Sequence, residues 1–272
     1  MSLNNLTAIN SEVWQWQEWQ GLPYLTCELL NDWQHGFFTQ QCYPRLPEDL
    51  VAAFDNDVKA YRVKQVHGNT VLTPQEIISQ STKNTPFVDA DAVITDRVKQ
   101  GLRQSVWVAS ADCNPILIGD RSTGQVAAIH AGWRGTAQKI VGKAIAIFQK
   151  NGSDLTNLSI AIGPAISGEV YQVSETVAIE VGNSILDNVP EEEKLKALFA
   201  IENSPLLEDE QPGRVRLDVR RVNQIQLQQL GISSKQIEIA PYCTYQQPDY
   251  FFSYRRSKQK KVQWSGIVVD CQ

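Results

Sequence analysis

The stretch from Val106 to Lys150 limits what this chain can fold into more than any other. Val106-Trp107-Val108-Ala109 and Ile116-Leu117-Ile118 are strand-like, with the polar run Asp112 to Pro115 between them. Asp120-Arg121-Ser122-Thr123-Gly124 is turn chemistry, and Val126 to His130 is a further apolar strand. Paired as one hairpin, these strands bring Cys113 and His130 together from well-separated positions. Thr136 to Lys150 then predicts a helix with Ile140, Val141, Ala144, Ile145, Ile147 and Phe148 as its buried stripe, stopped by Asn151-Gly152.

The flanking regions are read in the same way. Glu12 to Trp19 alternates as a half-buried strand, and Gln20 to Pro23 turns it into an antiparallel partner over Tyr24 to Leu30. Gly36 to Thr39 is a short strand, and Cys42 to Asp55 a loop with a short helix. Tyr61 to Val66 alternates again and would deliver His67 at a strand end. Leu158 to Ile162, Ile237 to Ala240 and Val262 to Val269 are strands. Ser174 can cap a helix over Thr176 to Leu186, and Asp218 one with the stripe Val219, Val222, Ile225 and Leu230, closed by Gly231. The acidic residues 187–215 read as a peripheral excursion with one short helix. Strands that run into their neighbours without regular βαβ alternation indicate α+β: one domain, 1–272, of mixed β-sheets with flanking helices.

Composition excludes several roles. With 272 residues, 42% hydrophobic and 20% charged, the chain can bury a substantial core. A net charge of −5 argues against a nucleic-acid binder. No run approaches the roughly 18 apolar residues of a membrane span. Met1 to Gln20 lacks the basic start, apolar run and cleavage site of a signal peptide. Five cysteines, odd in number and irregularly spaced, read as reduced thiols of a cytoplasmic protein.

Two of the three histidines and one cysteine lie in unusual segments: Lys64-Gln65-Val66-His67-Gly68, Ser110 to Pro115, and Ile129-His130-Ala131-Gly132-Trp133-Arg134-Gly135. A thiolate and two imidazoles suit Zn²⁺ or copper, and three ligands without a fourth match a catalytic metal with an open position. The same residues allow two other readings. Cys113 could be a nucleophile with His130 or His67 as its base, or the thiol and the two rings could never meet. Glycines at the strand-to-helix turn 131–135 expose backbone N–H groups to an anion, and Arg134 adds a bidentate fork. One carboxylate of Asp89-Ala90-Asp91-Ala92 could orient a metal histidine, Asp91 more so than Asp89. Tyr250 to Arg256 mixes rings and cations suited to a heterocyclic base beside a phosphate, with Phe252 and Arg255 as substrate-binding residues. Lys258, Lys260 and Lys261 read as a solvated turn.

Together these segments resemble the YfiH-like, laccase-domain family. The matching stretches are His35 to Thr39, Lys64 to Gly68, Asp91 to Thr95, Ala111-Asp112-Cys113, His130 to Gly135, Ile162 to Ile166, Tyr171-Gln172-Val173, Leu217-Asp218-Val219, Cys243-Thr244 and Phe252 to Arg256. They cover nearly the whole chain in order. The resemblance implies an α+β domain of cysteine-hydrolase-like fold, with zinc held by His67, Cys113 and His130. It also implies phosphorolysis of adenosine, inosine, guanosine and methylthioadenosine, together with hydrolytic deamination of adenosine. Catalysis would then fall to Cys113, His130, His67 and Arg134, with Gln65 and Asp112 orienting the nucleoside beside phosphate. The chain departs from the family where Gln40 to Tyr43 replace an arginine and glycine-rich loop, at Tyr171-Gln172, and at Val262-Gln263-Trp264. The family's older name suggests copper-dependent phenol oxidation, but three histidines supply at most one copper site.

Overall fold

A computed structural model describes residues 13–97 and 103–269. The alternation near the start becomes a hairpin, β1 (Trp14–Trp19) antiparallel to β2 (Leu22–Cys27), with Trp14, Trp16 and Leu25 facing inward. Glu12 lies outside the described residues. β2 stops at Cys27, and Glu28–Leu30, expected within the strand, form a 3-10 turn. There follow β3 (His35–Phe38), α1 (Pro47–Leu50), β4 (Lys59–Tyr61), β5 (Val71–Leu72), α2 (Pro74–Gln80) and β6 (Ala92–Ile94). The centre supplies β7 (Gln104–Ser110), β8 (Asn114–Asp120), β9 (Val126–Ala131), α3 (Trp133–Ala137), α4 (Ile140–Lys150) and β10 (Leu158–Ile162). The chain continues through β11 (Gln172–Ser174), α5 (Glu175–Gly182), α6 (Glu191–Phe199), β12 (Leu206–Glu208) and β13 (Arg214–Leu217). It closes with α7 (Val219–Gln229), β14 (Ile237–Ile239), α8 (Tyr254–Ser257) and β15 (Gln263–Val268).

Two mixed six-stranded sheets form the body, in the orders β1-β2-β3-β15-β7-β4 and β14-β10-β8-β9-β6-β5. Their facing sides share one core, in which Trp14, Phe37, Val106 and Val108 meet Val93, Leu117 and Ala128. The opposite side of the second sheet packs Ile116, Ile118 and Ile129 against the α4 stripe. β8 and β9 are therefore buried on both faces, which explains their unbroken apolar runs. Their hairpin is as expected, with Pro115 opposite His130. The architecture is α+β, and among the described residues no helix is long and apolar enough to cross a membrane.

Four further expectations change. The helix over Thr136 to Lys150 is two helices, broken where Lys139 takes φ 57°. Gln226 Nε2 donates to the Thr136 carbonyl at 2.8 Å, and Asn223 bonds the Thr136 hydroxyl, so α7 holds the end of α3 while α4 lies on the sheet. The strand over Tyr61 to Val66 ends at Tyr61. Beyond it the Gln65 amide takes the place of a ladder partner, accepting from the Ala109 N–H at 2.7 Å and donating to the Ala109 carbonyl at 2.8 Å. Residues 187–215 hold α6 but also β12 and β13, which join β11 in a third sheet with its own apolar cluster. Leu230 lies past the end of α7 and is exposed, and Leu227 is buried instead.

His35 is spent on the core. Its Nε2 accepts from the Cys27 N–H and its Nδ1 donates to the Trp33 carbonyl, each at 2.8 Å. Burial outweighs these bonds and lowers its pKa from 6.5 to about 4. The folded state therefore keeps the ring neutral where the unfolded chain binds a proton, so stability is full above pH 6.5 and falls as pH drops towards 4. This ring should cost about 3 kcal/mol over that window. Urea unfolding between pH 7 and pH 4 should show it, and a His35→Gln variant should have a flatter profile.

Candidate active site

The chain crosses between the two large sheets at four places among the described residues, and two of these carry the expected ligands. The link from β4 to β5 holds His67, and the link from β7 to β8 holds Cys113. His130 lies near the end of β9, beside the second link. One ligand atom from each of the three residues lies within 4.8 Å of the others. The two imidazoles meet edge to face, with centroids 4.9 Å apart. His130 is buried, Cys113 half-buried and His67 exposed.

Asp91 organises the group. Its carboxylate is fully buried, and Oδ1 accepts from His130 Nδ1 and from the His67 N–H, each at 2.9 Å. Oδ2 accepts from the Gly68 N–H at 2.7 Å and the Val66 N–H at 3.3 Å. Three successive N–H groups around one carboxylate make an anion nest. This nest holds His67 at φ 60°, a left-handed conformation that costs a branched-free side chain of order 1 kcal/mol or more. With Nδ1–H committed to Asp91, His130 presents Nε2 to Cys113. Burial opposes the charge on Asp91, yet His130 and the Gly68 and His67 N–H groups bring its pKa below the usual carboxylate range.

The thiol and the ring polarise each other. Burial works against ionisation of Cys113, but the neighbouring imidazoles of His130 and His67 override it and lower its pKa to about 6. Burial likewise opposes a charge on His130, and Cys113 and Asp91 raise it to about 9.

The trio opens into a cleft of about 770 Å³, within the range of about 300–1,000 Å³ usual for small-molecule sites. Trp133, Tyr171, Tyr254 and Trp264 line it, and so do Gln65, Asp112, Arg134 and Arg255. Arg134 stacks on the Trp133 ring at 4.2 Å, and Arg255 lies over Tyr171 at 4.7 Å with Nη1 donating to the Gln172 carbonyl at 2.9 Å. Burial and the nearby Cys113 push Tyr171 up to about 12, so its hydroxyl stays protonated.

The other expected substrate residues are differently placed. Gln65 is clamped to Ala109 as described above. Both Asp112 oxygens are engaged: Oδ1 accepts from the Thr244 hydroxyl and Oδ2 from the Arg255 N–H, each at 2.7 Å. Asp112 thus ties the corner between the sheets to the start of α8. Phe252 does not line the cleft. Its N–H donates to Gln263 Oε1 at 2.9 Å, and its ring packs edge-on against Tyr43, 5.6 Å away. Sequence reasoning missed Tyr171, Trp264 and Ser110 as lining residues, and the lysines after α8 also border the cleft. Single aromatic or hydroxyl residues carry no periodic signal of such a role. Among the described residues Cys27, Cys42, Cys113 and Cys243 are free thiols; Cys271 lies outside them.

A family model described as multi-copper polyphenol oxidoreductase laccase matches residues 47–269. A Synechocystis protein named purine nucleoside phosphorylase is 50% identical over 268 residues, covering 96% of this chain and 99% of that one. In the crystal structure of YlmD from Geobacillus stearothermophilus the fold recurs with a TM-score of 0.75 at 23% identity, over 94% of this chain and 99% of that one. Bacillus licheniformis YfiH, described as a hypothetical protein, gives 0.70 at 22% identity, over 90% and 96%. With most of its length matched by the family model and half of its aligned positions shared with the cyanobacterial relative, the chain belongs to the laccase-like, YfiH family.

Proposed function

We propose that this chain is a zinc-dependent purine nucleoside phosphorylase acting on adenosine, inosine, guanosine and methylthioadenosine, with an accompanying adenosine deaminase activity. The observation that carries the reading is the convergence of His67, Cys113 and His130 in a cleft lined by arginines and aromatic rings. The phosphorylase name of the Synechocystis relative supports the substrate class.

The residues present fit a zinc ion. Two imidazoles and a thiol of lowered pKa are a suitable donor set, and the Asp91 bond leaves His130 Nε2 as the donor. Gly132 keeps the space clear, because a Cβ there would lie 2.9 Å from Cys113 Sγ and 3.4 Å from His67 Cδ2. Bound there, zinc supplies a Lewis acid beside the cleft. His35 has both ring nitrogens committed elsewhere, so the chain has no histidines for further coppers.

In phosphorolysis a phosphate oxygen forms a bond to the ribose anomeric carbon, and the carbon–nitrogen bond breaks with its electrons leaving on the purine. Arg134 and Arg255 would hold the phosphate oxygens, a role supported by their stacking on Trp133 and Tyr171, which limits their motion. The remaining aromatic wall offers apolar faces to the purine and keeps water from the breaking bond. Ser110 Oγ is buried in the cleft wall without a hydrogen-bond partner among the described residues, so a ligand can satisfy it.

A second reading rests on the Asp91–His130–Cys113 line itself. A nucleophile, a base and a carboxylate that orients the base are the parts of a cysteine hydrolase. The two readings separate on chelation. The phosphorylase should release ribose 1-phosphate from adenosine only when metal-replete, whereas phosphate-independent release of free ribose or ammonia at full rate after chelation would leave the hydrolase.

An Asp91→Asn variant should bind metal about 10–100-fold more weakly, because an amide cannot serve three N–H donors and fix the His130 tautomer as well. Emission spectroscopy of dialysed protein reads this directly. Gly132 has φ −66°, a value any residue adopts, so Gly132→Ala should fold with an unchanged circular dichroism spectrum. Its metal affinity should fall about tenfold or more, as Sγ is pushed aside.

A further inference from the structure

The cleft carries more positive charge than one inorganic phosphate needs. Arg134, Arg255, Lys258, Lys260 and Lys261 all border it, and Asp112 is its one lining carboxylate, already engaged by Thr244 and Arg255. Such a concentration stands out in a chain of net charge −5, and it focuses anions on the opening.

The cations fall into two sets. Arg134 and Arg255 stack on Trp133 and Tyr171, the two rings that also line a small niche beside Cys113. The lysines lie on the strap between α8 and β15, which starts where Lys258 ends the helix at φ 58°. Lys258 and Lys260 are exposed, whereas Cys113 and His130 lie deeper. Lys258 Nζ rests 5.5 Å over the Tyr254 ring of the cleft wall, whereas Lys261 lines the cleft but turns its Nζ to the rings of Tyr43 and Phe252 just outside it, at 5.5 and 5.8 Å. Among the described residues, no carboxylate lies within ion-pair distance of the three lysines. Three long, flexible lysines without a carboxylate partner at the rim of a ligand cleft make it a good place for a second anion.

We propose that Lys258, Lys260 and Lys261 form a second anion subsite at the cleft mouth that binds a phosphate ester carried by the nucleoside itself, so that purine nucleoside monophosphates are ligands of this cleft. The proposal deepens the phosphorylase reading and rests on it for the purine half of the ligand. The arginine pair serves the free phosphate; the lysine strap serves the esterified one.

Titration calorimetry on the metal-replete full-length protein tests this, comparing adenosine 5′-monophosphate with adenosine at low and high salt. The nucleotide should bind about tenfold more tightly, the sum expected of several individually weak pairs with exposed cations. The advantage should shrink as salt rises. In a Lys258→Ala, Lys260→Ala, Lys261→Ala variant the ratio of the two dissociation constants should fall to near one, and the matching triple arginine variant should keep it. Saturating inorganic phosphate should leave most of the advantage in place. Equal affinities in the unaltered protein would overturn the proposal, and so would a preference that survives the alanine variant or vanishes with free phosphate. Adenosine turnover measured in parallel keeps the two readings apart: lysine-dependent nucleotide binding without turnover would retain this subsite and remove the phosphorylase.

Discussion

Both histidines of the site depend on one buried carboxylate. Asp91 is fully desolvated, and such a charge persists only when it is closely paired and hydrogen-bonded. Here the partners are the N–H groups of Val66, His67 and Gly68 and the ring of His130. The same bonds that satisfy Asp91 also hold the His67 loop in its left-handed turn and settle which nitrogen His130 offers. Neither histidine is positioned by its own element alone.

The two-sheet body explains why the site is where it is. Strands buried on both faces leave no room for polar chemistry, so it collects where the chain passes from one sheet to the other. The turn at Asp112, with φ 88°, makes that passage in three residues and leaves Cys113 just before the start of β8. Close backbone approach then needs glycine. A Cβ on Gly135 would lie 2.8 Å from the Gly68 carbonyl, and one on Gly132 would strike the thiol. The Gly-Trp-Arg-Gly segment is therefore read more fully as a spacer for the trio, with Trp133 and Arg134 turned to the cleft, than as an anion-binding helix start.

The family is described as multi-copper, and the disposition of histidines speaks against several coppers for this chain. His35 opens β3 with its ring in the core, both nitrogens spent on backbone groups. The two that remain share one site with one thiol. Such a site suits a single ion, and its surroundings of rings and cations suit an aromatic, phosphate-bearing ligand.

Much of this was legible in the amino-acid sequence. Alternation in β1 and β2, the β8–β9 hairpin, the caps Ser174 and Asp218 and the apolar stripe of α4 are all local signals, because each reports how one element meets its own neighbours. Residue type and setting also singled out His67, Cys113 and His130 and favoured Asp91 over Asp89, but left open whether the three side chains meet. What only the tertiary structure decided involves segments far apart along the chain. The Gln65 clamp ends a strand that alternation alone would continue. The grip of α7 on Thr136 breaks a helix whose stripe looks unbroken, and the lysine strap borders a cleft although its sequence reads as solvated surface. Periodicity records which face of an element is buried. It cannot record which distant backbone group a side chain will find, because that partner exists only once the sheets have packed.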